Sequence, residues 1–118
     1  MSNKTDSEVR HFMPPTVLQE QADDVAEVLL AMANAKRLMV LCHLLEGELT
    51  VGELLERVDL AQSAMSQHLA RLRAMKLVAT RRSAQQIYYR LASPEVARLL
   101  ATIKDIWCSE ERATPKAS

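Results

Sequence analysis

The stretch from Asp59 to Leu91, DLAQSAMSQHLARLRAMKLVATRRSAQQIYYRL, constrains the fold of this chain more than any other. In its first half Met65, Leu69 and Leu72, continued by the alkyl stem of Lys76, return at three- and four-residue steps, which predicts an amphipathic helix. At about 100° per residue the opposite face carries Ser63, Ser66, Gln67, Ala70 and Ala74. An exposed helix face is normally solvated by Glu and Lys. Short hydroxyl and amide groups can instead lie close against a groove edge and reach base donors and acceptors. Leu77 to Thr80 and Ile87 to Leu91 then read as two strands around a basic polar turn, Arg81 to Gln86. An amphipathic helix and hairpin without a ligand would share this pattern. With a short helix and a tight turn in front of it, the stretch predicts a winged helix-turn-helix.

Charge separates those alternatives. The chain has 15 basic and 15 acidic residues and a net charge of zero, which argues at first against nucleic acid. Residues 61–90, however, hold Arg71, Arg73, Lys76, Arg81, Arg82 and Arg90 and no Asp or Glu. A basic window on an acidic body is a local footprint for phosphate. At 118 residues the chain forms one domain, and with 3% aromatic residues its core has to be Leu, Val, Met and Ala, which favours helix on helix. No run reaches the length of a membrane span and no signal pattern opens the chain, so the expected setting is the cytoplasm, with both cysteines starting as thiols.

In chain order, residues 1–15 read as a polar arm ending in Pro14-Pro15. A first helix follows from about Thr16 to Met32 and a second from Ala35 to Leu45. Leu49 is a one-residue strand fragment or bridge. Thr50-Val51-Gly52-Glu53 has capping-box spacing and opens a third helix over Val51 to Val58. Leu60 should plug the core before the fourth helix, where Ser63 is a candidate cap. In the hairpin Ile87, Tyr89 and Leu91 share the core-facing side, and Tyr88 belongs either to sheet packing or to DNA. Ser93-Pro94-Glu95 starts the last helix, which runs to about Glu111 and carries Val96, Leu99, Leu100, Ile103, Ile106 and Trp107 as an apolar stripe. The expected architecture is mainly α with a small β-hairpin: a winged helix-turn-helix and dimerisation domain over residues 16–111, with a polar tail over 112–118. The first and last helices carry more apolar surface than so small a core covers. Val25, Leu29, Leu99, Ile103, Ile106 and Trp107 are therefore the expected homodimer interface. A two-fold dimer would set two reading helices about 34 Å apart on an inverted-repeat operator in double-stranded DNA.

The segments Leu29 to Leu38, Leu49 to Leu54 and Gln62 to Arg73, continued by Leu77-Val78 and Tyr88 to Leu91, resemble the ArsR/SmtB family of repressors over nearly all of residues 16–110. The resemblance implies a dimeric repressor released from DNA by an inducer. Many members sense metals, through a cysteine pair at the third helix or through Asp-x-His with a His/Glu pair on the last. Leu49 to Leu54 has no thiol and Lys104 to Cys108 no histidine, and His11, His43 and His68 are scattered, so no metal or cofactor is assigned. A zinc- or arsenite-responsive repressor is kept as the alternative, beside a general thiol-redox one.

Cys42 and Cys108 remain. By residue type alone each is as well a small core hydrophobe or half of a disulfide. Their positions, on the second helix and near the end of the last, match the dithiol, persulfide-sensing branch of the family (BigR-, SqrR- and HlyU-like). That branch implies an intraprotomer di- or polysulfide formed with reactive sulfur species. Lys104 and Arg112 lie four residues either side of Cys108 and favour its thiolate, while Glu111 opposes them. Gln62, Ser63, Ser66 and Gln67 are the base-edge candidates. His68 packs, faces phosphate or reads. Arg71 and Arg73 are expected on phosphate, and Arg81 and Arg82 reach DNA from the wing. A thiol oxidoreductase, the remaining class, lacks a CxxC motif, and no enzyme is expected.

Overall fold

The computed structural model describes residues 15–108. The expected arm up to Pro14, with His11, the end of the expected last helix at Glu111, and the expected tail from Arg112 lie outside the described residues. Residues through Met32 form one unit and those from Ala33 a second. The first is helix α1 (Pro15–Met32). It starts one residue before the expected boundary, because proline is well tolerated at a first helical position, where its missing N–H has no helical acceptor. Leu18, Val25, Leu29 and Leu30 are exposed along it. Among the described residues no single helix is long and apolar enough to cross a membrane.

The second unit runs α2 (Ala35–Leu45), β1 (Leu49–Thr50), α3 (Val51–Arg57), α4 (Gln62–Ala74), β2 (Val78–Ser83), β3 (Gln86–Leu91) and α5 (Pro94–Trp107). Local chemistry sets most of these boundaries. Asn34 Oδ1 accepts the Arg37 N–H at 3.0 Å and starts α2. Thr50 Oγ1 accepts the Glu53 N–H at 3.1 Å, while Glu53 Oε1 accepts the Thr50 N–H at 2.8 Å, a complete capping box. Ser93 Oγ accepts the Val96 N–H at 3.1 Å ahead of Pro94 in the first turn of α5. The core gathers Val40, Leu41, Leu44, Leu49, Leu54, Val58, Met65, Leu69, Leu72, Leu77, Val78, Val96 and Leu100, all buried. Each fully buried side chain of this size contributes about 1.5–3 kcal/mol, so Met65, Leu69 and Leu72 fix which face α4 turns outward.

Several expectations need correction. Leu49 belongs to a two-residue strand, and the hairpin is part of a three-stranded antiparallel sheet ordered β1-β3-β2, with Leu49 opposite Tyr89 and Thr50 opposite Tyr88. The residue capping α4 is Ala61, with no side-chain bond, so Ser63 lies inside the helix. Lys76 is not part of the apolar face. It is exposed at φ +64°, just past the helix. There the Leu77 N–H reaches the Leu72 carbonyl at 2.9 Å and the Lys76 N–H reaches that of Arg73 at 2.9 Å. That is a Schellman closure, with buried Leu72 and Leu77 sealing it. Leu60 is half-buried rather than a core plug.

The wing also differs. Arg81, Arg82 and Ser83 are strand residues paired with Tyr88, Ile87 and Gln86, leaving Ala84 and Gln85 as the turn. Ile87, at this distal end of the hairpin, is exposed, whereas Tyr89 and Leu91 on the same side are half-buried nearer the helices. Helix α5 ends at Trp107 with Cys108 as its C-cap, short of the expected Glu111.

Candidate nucleic-acid interface and thiol pocket

On α4, Ser63, Ser66, Gln67 and Ala70 are exposed while Met65, Leu69 and Leu72 are buried, so the small polar face points outward as the spacing implies. Helical geometry of about 100° per residue puts Arg71 and His68 on one flank of that face, Arg73 and Gln62 on the other. Gln62 is thus exposed at the edge rather than the centre of that small polar face. A helix in a major groove would meet a phosphate backbone on each side, and this one carries an arginine on each flank of its small polar face.

His68 is half-buried, and its Nδ1 lies 3.4 Å from Nη1 of Arg37 in the first turn of α2. Burial first, then the charges of Arg37 and Arg71, push the imidazole pKa down. Arg37 is itself lowered by burial and by Arg71. Sequence reasoning did not single out Arg37, whose contact spans 31 positions and has no local signature.

In the wing the two adjacent arginines point to opposite faces of β2. Arg81 Nε donates to both carboxylate oxygens of Glu48 at 2.8 and 2.9 Å, and its guanidinium lies 4.8 Å from the Tyr88 ring centroid. Tyr88, half-buried opposite Arg81 in the register, therefore packs within the sheet. Arg82 is exposed and pairs with no carboxylate among the described residues.

The two cysteines come together. Cys42 from α2 and Cys108 from the end of α5, both free thiols, line one pocket of about 520 Å³ with Leu38, Met39, Ile103, Lys104 and Trp107. Cys42 is half-buried and Cys108 exposed. Burial pushes the Cys42 thiol up; Lys104 opposes this, and Cys108 and Glu46 add to it. Lys104 Nζ donates to Glu46 Oε2 at 3.0 Å. That bond holds the Glu46 carboxyl below its usual range and the ammonium above its own, with both thiols also favouring the charged Lys104. Glu46 is thus a carboxylate beside the dithiol that sequence reasoning did not find, 58 positions from its partner. Ile103 and Trp107, expected at a dimer interface, line this pocket as well. Leu99, Ile106 and Trp107 are exposed along α5, as are Val25 and Leu29 on α1.

Residues 34–80 match the profile of the bacterial regulatory proteins of the arsR family. The transcriptional activator HlyU of Vibrio cholerae is 47% identical over 97 residues, 80% of this chain and 90% of that protein. The biofilm growth-associated repressor of Xylella fastidiosa is 36% identical over 112 residues, covering 95% and 98%. This chain belongs to the arsR family. The crystal structure of the repressor BigR from Xylella fastidiosa superposes with a TM-score of 0.75 at 37% identity, covering 83% of this chain and 100% of that one. As an arsR-family protein it is a winged-helix transcription regulator and not an enzyme. The family match ends at residue 80, so it spans α2 to α4 and the start of the wing but only one of the two cysteines.

Proposed function

We propose that this chain is a homodimeric repressor whose operator affinity is switched by a Cys42–Cys108 di- or polysulfide formed with sulfide-derived persulfides. The observation that carries the reading is the shared pocket: two free thiols from α2 and α5, with Lys104 beside both. The order of events follows from exposure. Cys108 is open to solvent, whereas burial keeps Cys42 protonated to higher pH, so Cys108 attacks first. Its thiolate takes the outer sulfur of a low-molecular-weight persulfide, and the donor leaves as its thiolate. The Cys42 thiolate then attacks the inner sulfur of the Cys108 persulfide and expels hydrosulfide, closing a disulfide. If Cys42 is itself persulfidated, the same displacement leaves a trisulfide. The incoming persulfide is the oxidant in either case.

DNA is read by Ser63, Ser66 and Gln67 at base edges, with Gln62 at the groove margin. Arg71 and Arg73 sit on phosphate, His68 lies beside Arg71, and Arg82 with Arg81 comes from the wing. The exposed apolar residues Val25, Leu29, Leu99, Ile106 and Trp107, with half-buried Ile103, supply the dimer contact. The site of action is the cytoplasm, on an inverted-repeat operator. A cross-link tying α2 to α5 lowers operator affinity by favouring a dimer geometry that fits the two half-sites less well. Cys42→Ser and Cys108→Ser should each bind operator like the reduced wild type and stay bound when persulfide is added. Release of DNA by both serine variants to the wild-type extent would refute the switch.

A further inference from the structure

We infer that Glu46 is a positioning residue for the thiol pocket: by holding the Lys104 ammonium it withholds that charge from Cys42, so that the second thiol closes a cross-link yet resists dilute disulfides. The inference deepens the dithiol reading of the pocket and rests on it.

Geometry joins the carboxylate to the pocket. Glu46 is the C-cap of α2, about one helical turn beyond Cys42. Its Oε2 accepts from Lys104 Nζ at 3.0 Å. Lys104 comes from α5, about one turn before Cys108. It is the one charged residue among the described residues that line the pocket with both cysteines. Leu38, Met39, Ile103 and Trp107 make the rest of that lining apolar, so a sulfur anion formed there has Lys104 as its cation. The titratable groups acting on the Cys42 thiol are Lys104 and Cys108 from α5 and Glu46 from the end of its own helix. His43 and Arg57 act on Glu46 in turn. Burial raises the thiol most, Lys104 opposes it, and Glu46 adds to it. One carboxylate thus acts twice, through its own charge and by tethering the cation that would offset it.

Closure begins when Cys42 Sγ gives its proton to water. The thiolate attacks Sγ of the Cys108 persulfide. The Sγ–Sγ bond forms, the bond to the outer sulfur breaks, and that sulfur leaves with the electron pair as hydrosulfide. Cys42 is oxidised and the outer sulfur reduced. The negative charge sits on Cys42 before the step and on hydrosulfide after it, so Lys104 supports nucleophile and leaving group alike. A persulfide on Cys108 stands in the same pocket as Cys42, and an attack between two held groups needs little thiolate. A disulfide arriving from solution depends on the standing thiolate fraction. Holding Lys104 on Glu46 slows both reactions, and closure has the rate to spare.

The test uses the reduced full chain carrying Cys108→Ser, which leaves Cys42 as its one thiol. The rate of its reaction with a dipyridyl disulfide is followed against pH by the absorbance of the released thione, and gives the Cys42 pKa. Glu46→Gln should lower that pKa, Lys104→Met should raise it, and Lys104→Arg should leave it near the starting value. In the Lys104→Met background the shift from Glu46→Gln should shrink to less than half. Below the pKa each unit of lowering should speed the reaction about threefold, because about tenfold more thiolate is offset by a weaker nucleophile. Above both pKa values the advantage should vanish, whereas a disturbed pocket would change the rate at every pH. Both side chains of the ion pair are open to solvent, so these substitutions leave the core intact. An unchanged Cys42 titration in Glu46→Gln, or a shift undiminished without Lys104, overturns the role of Glu46. That arm uses no persulfide. A chain with both cysteines that never forms the cross-link on persulfide treatment overturns the dithiol reading, and the closure step with it.

Discussion

Glu48 should act as a brake on the wing. Arg81 is held by both oxygens of this carboxylate and rests on Tyr88, whereas Arg82 on the other face of β2 has no such partner among the described residues. Before Arg81 can neutralise a phosphate it must leave Glu48, or carry the carboxylate along. The pair is partly open to solvent, with side chains 51% and 30% exposed, so it belongs with surface ion pairs rather than buried ones. Such pairs are worth about 0.2–1 kcal/mol. Glu48→Gln keeps the shape and one acceptor oxygen but removes the charge, and should tighten DNA binding by roughly 1.5- to 5-fold, the same energy expressed as an equilibrium constant. Arg82→Ala should weaken binding and reduce the salt slope by about one, and Arg81→Ala should do less of both. Fluorescence anisotropy on reduced protein at several salt concentrations reads all three variants, with circular dichroism to confirm the fold. A Glu48→Gln chain that is folded and binds no more tightly than wild type would refute the reasoning, as would Arg81→Ala costing more than Arg82→Ala.

Three further outcomes concern stability. Thr50→Ala breaks one arm of the capping box at the start of α3 and should cost about 1 kcal/mol in urea unfolding. Lys76→Gly should raise stability by about 1 kcal/mol, because the left-handed φ of +64° at the Schellman position penalises any side chain; no gain would mean that Lys76 is held there by favourable contacts. The fold lowers the His68 pKa from 6.5. It therefore favours the neutral ring, and that contribution is present above the unfolded value and lost as pH falls toward the folded one. Unfolding measured below pH 6.5 should show a decline with acid that His68→Gln reduces.

The helices were legible because their signals are local. Apolar period, an Asn, a Thr-x-x-Glu and a Ser-Pro-Glu placed α2, α3 and α5 to within a residue at their N-termini. The ends that misled reasoning lacked those signals. Helix α4 stops without a glycine, its Schellman bonds closing around Lys76, so the apolar period ran on through a lysine stem. The wing turn has Ala84 at φ +57° and no Gly or Asn, which made the paired arginines look like turn residues. Long-range contacts left no trace in local pattern. Glu46 against Lys104, Glu48 against Arg81 and Arg37 against His68 join positions 58, 33 and 31 apart. Each gives a partner to a residue whose role was expected from its neighbours alone. The approach of Cys42 to Cys108 had the same character: separation along the chain said nothing about it, and only the family resemblance pointed to it.

The central claim is a sulfur cross-link between Cys42 and Cys108, and mass spectrometry of the proteolysed protein tests it most directly. Reduced protein would be treated in parallel with a low-molecular-weight persulfide, a disulfide and hydrogen peroxide, then alkylated and digested. Persulfide should yield a peptide pair joining Cys42 to Cys108, including species heavier than the plain disulfide by whole sulfur atoms, and the other two oxidants should yield no such species. Persulfide treatment that leaves both cysteines separately alkylated, with no joined peptide, would contradict it.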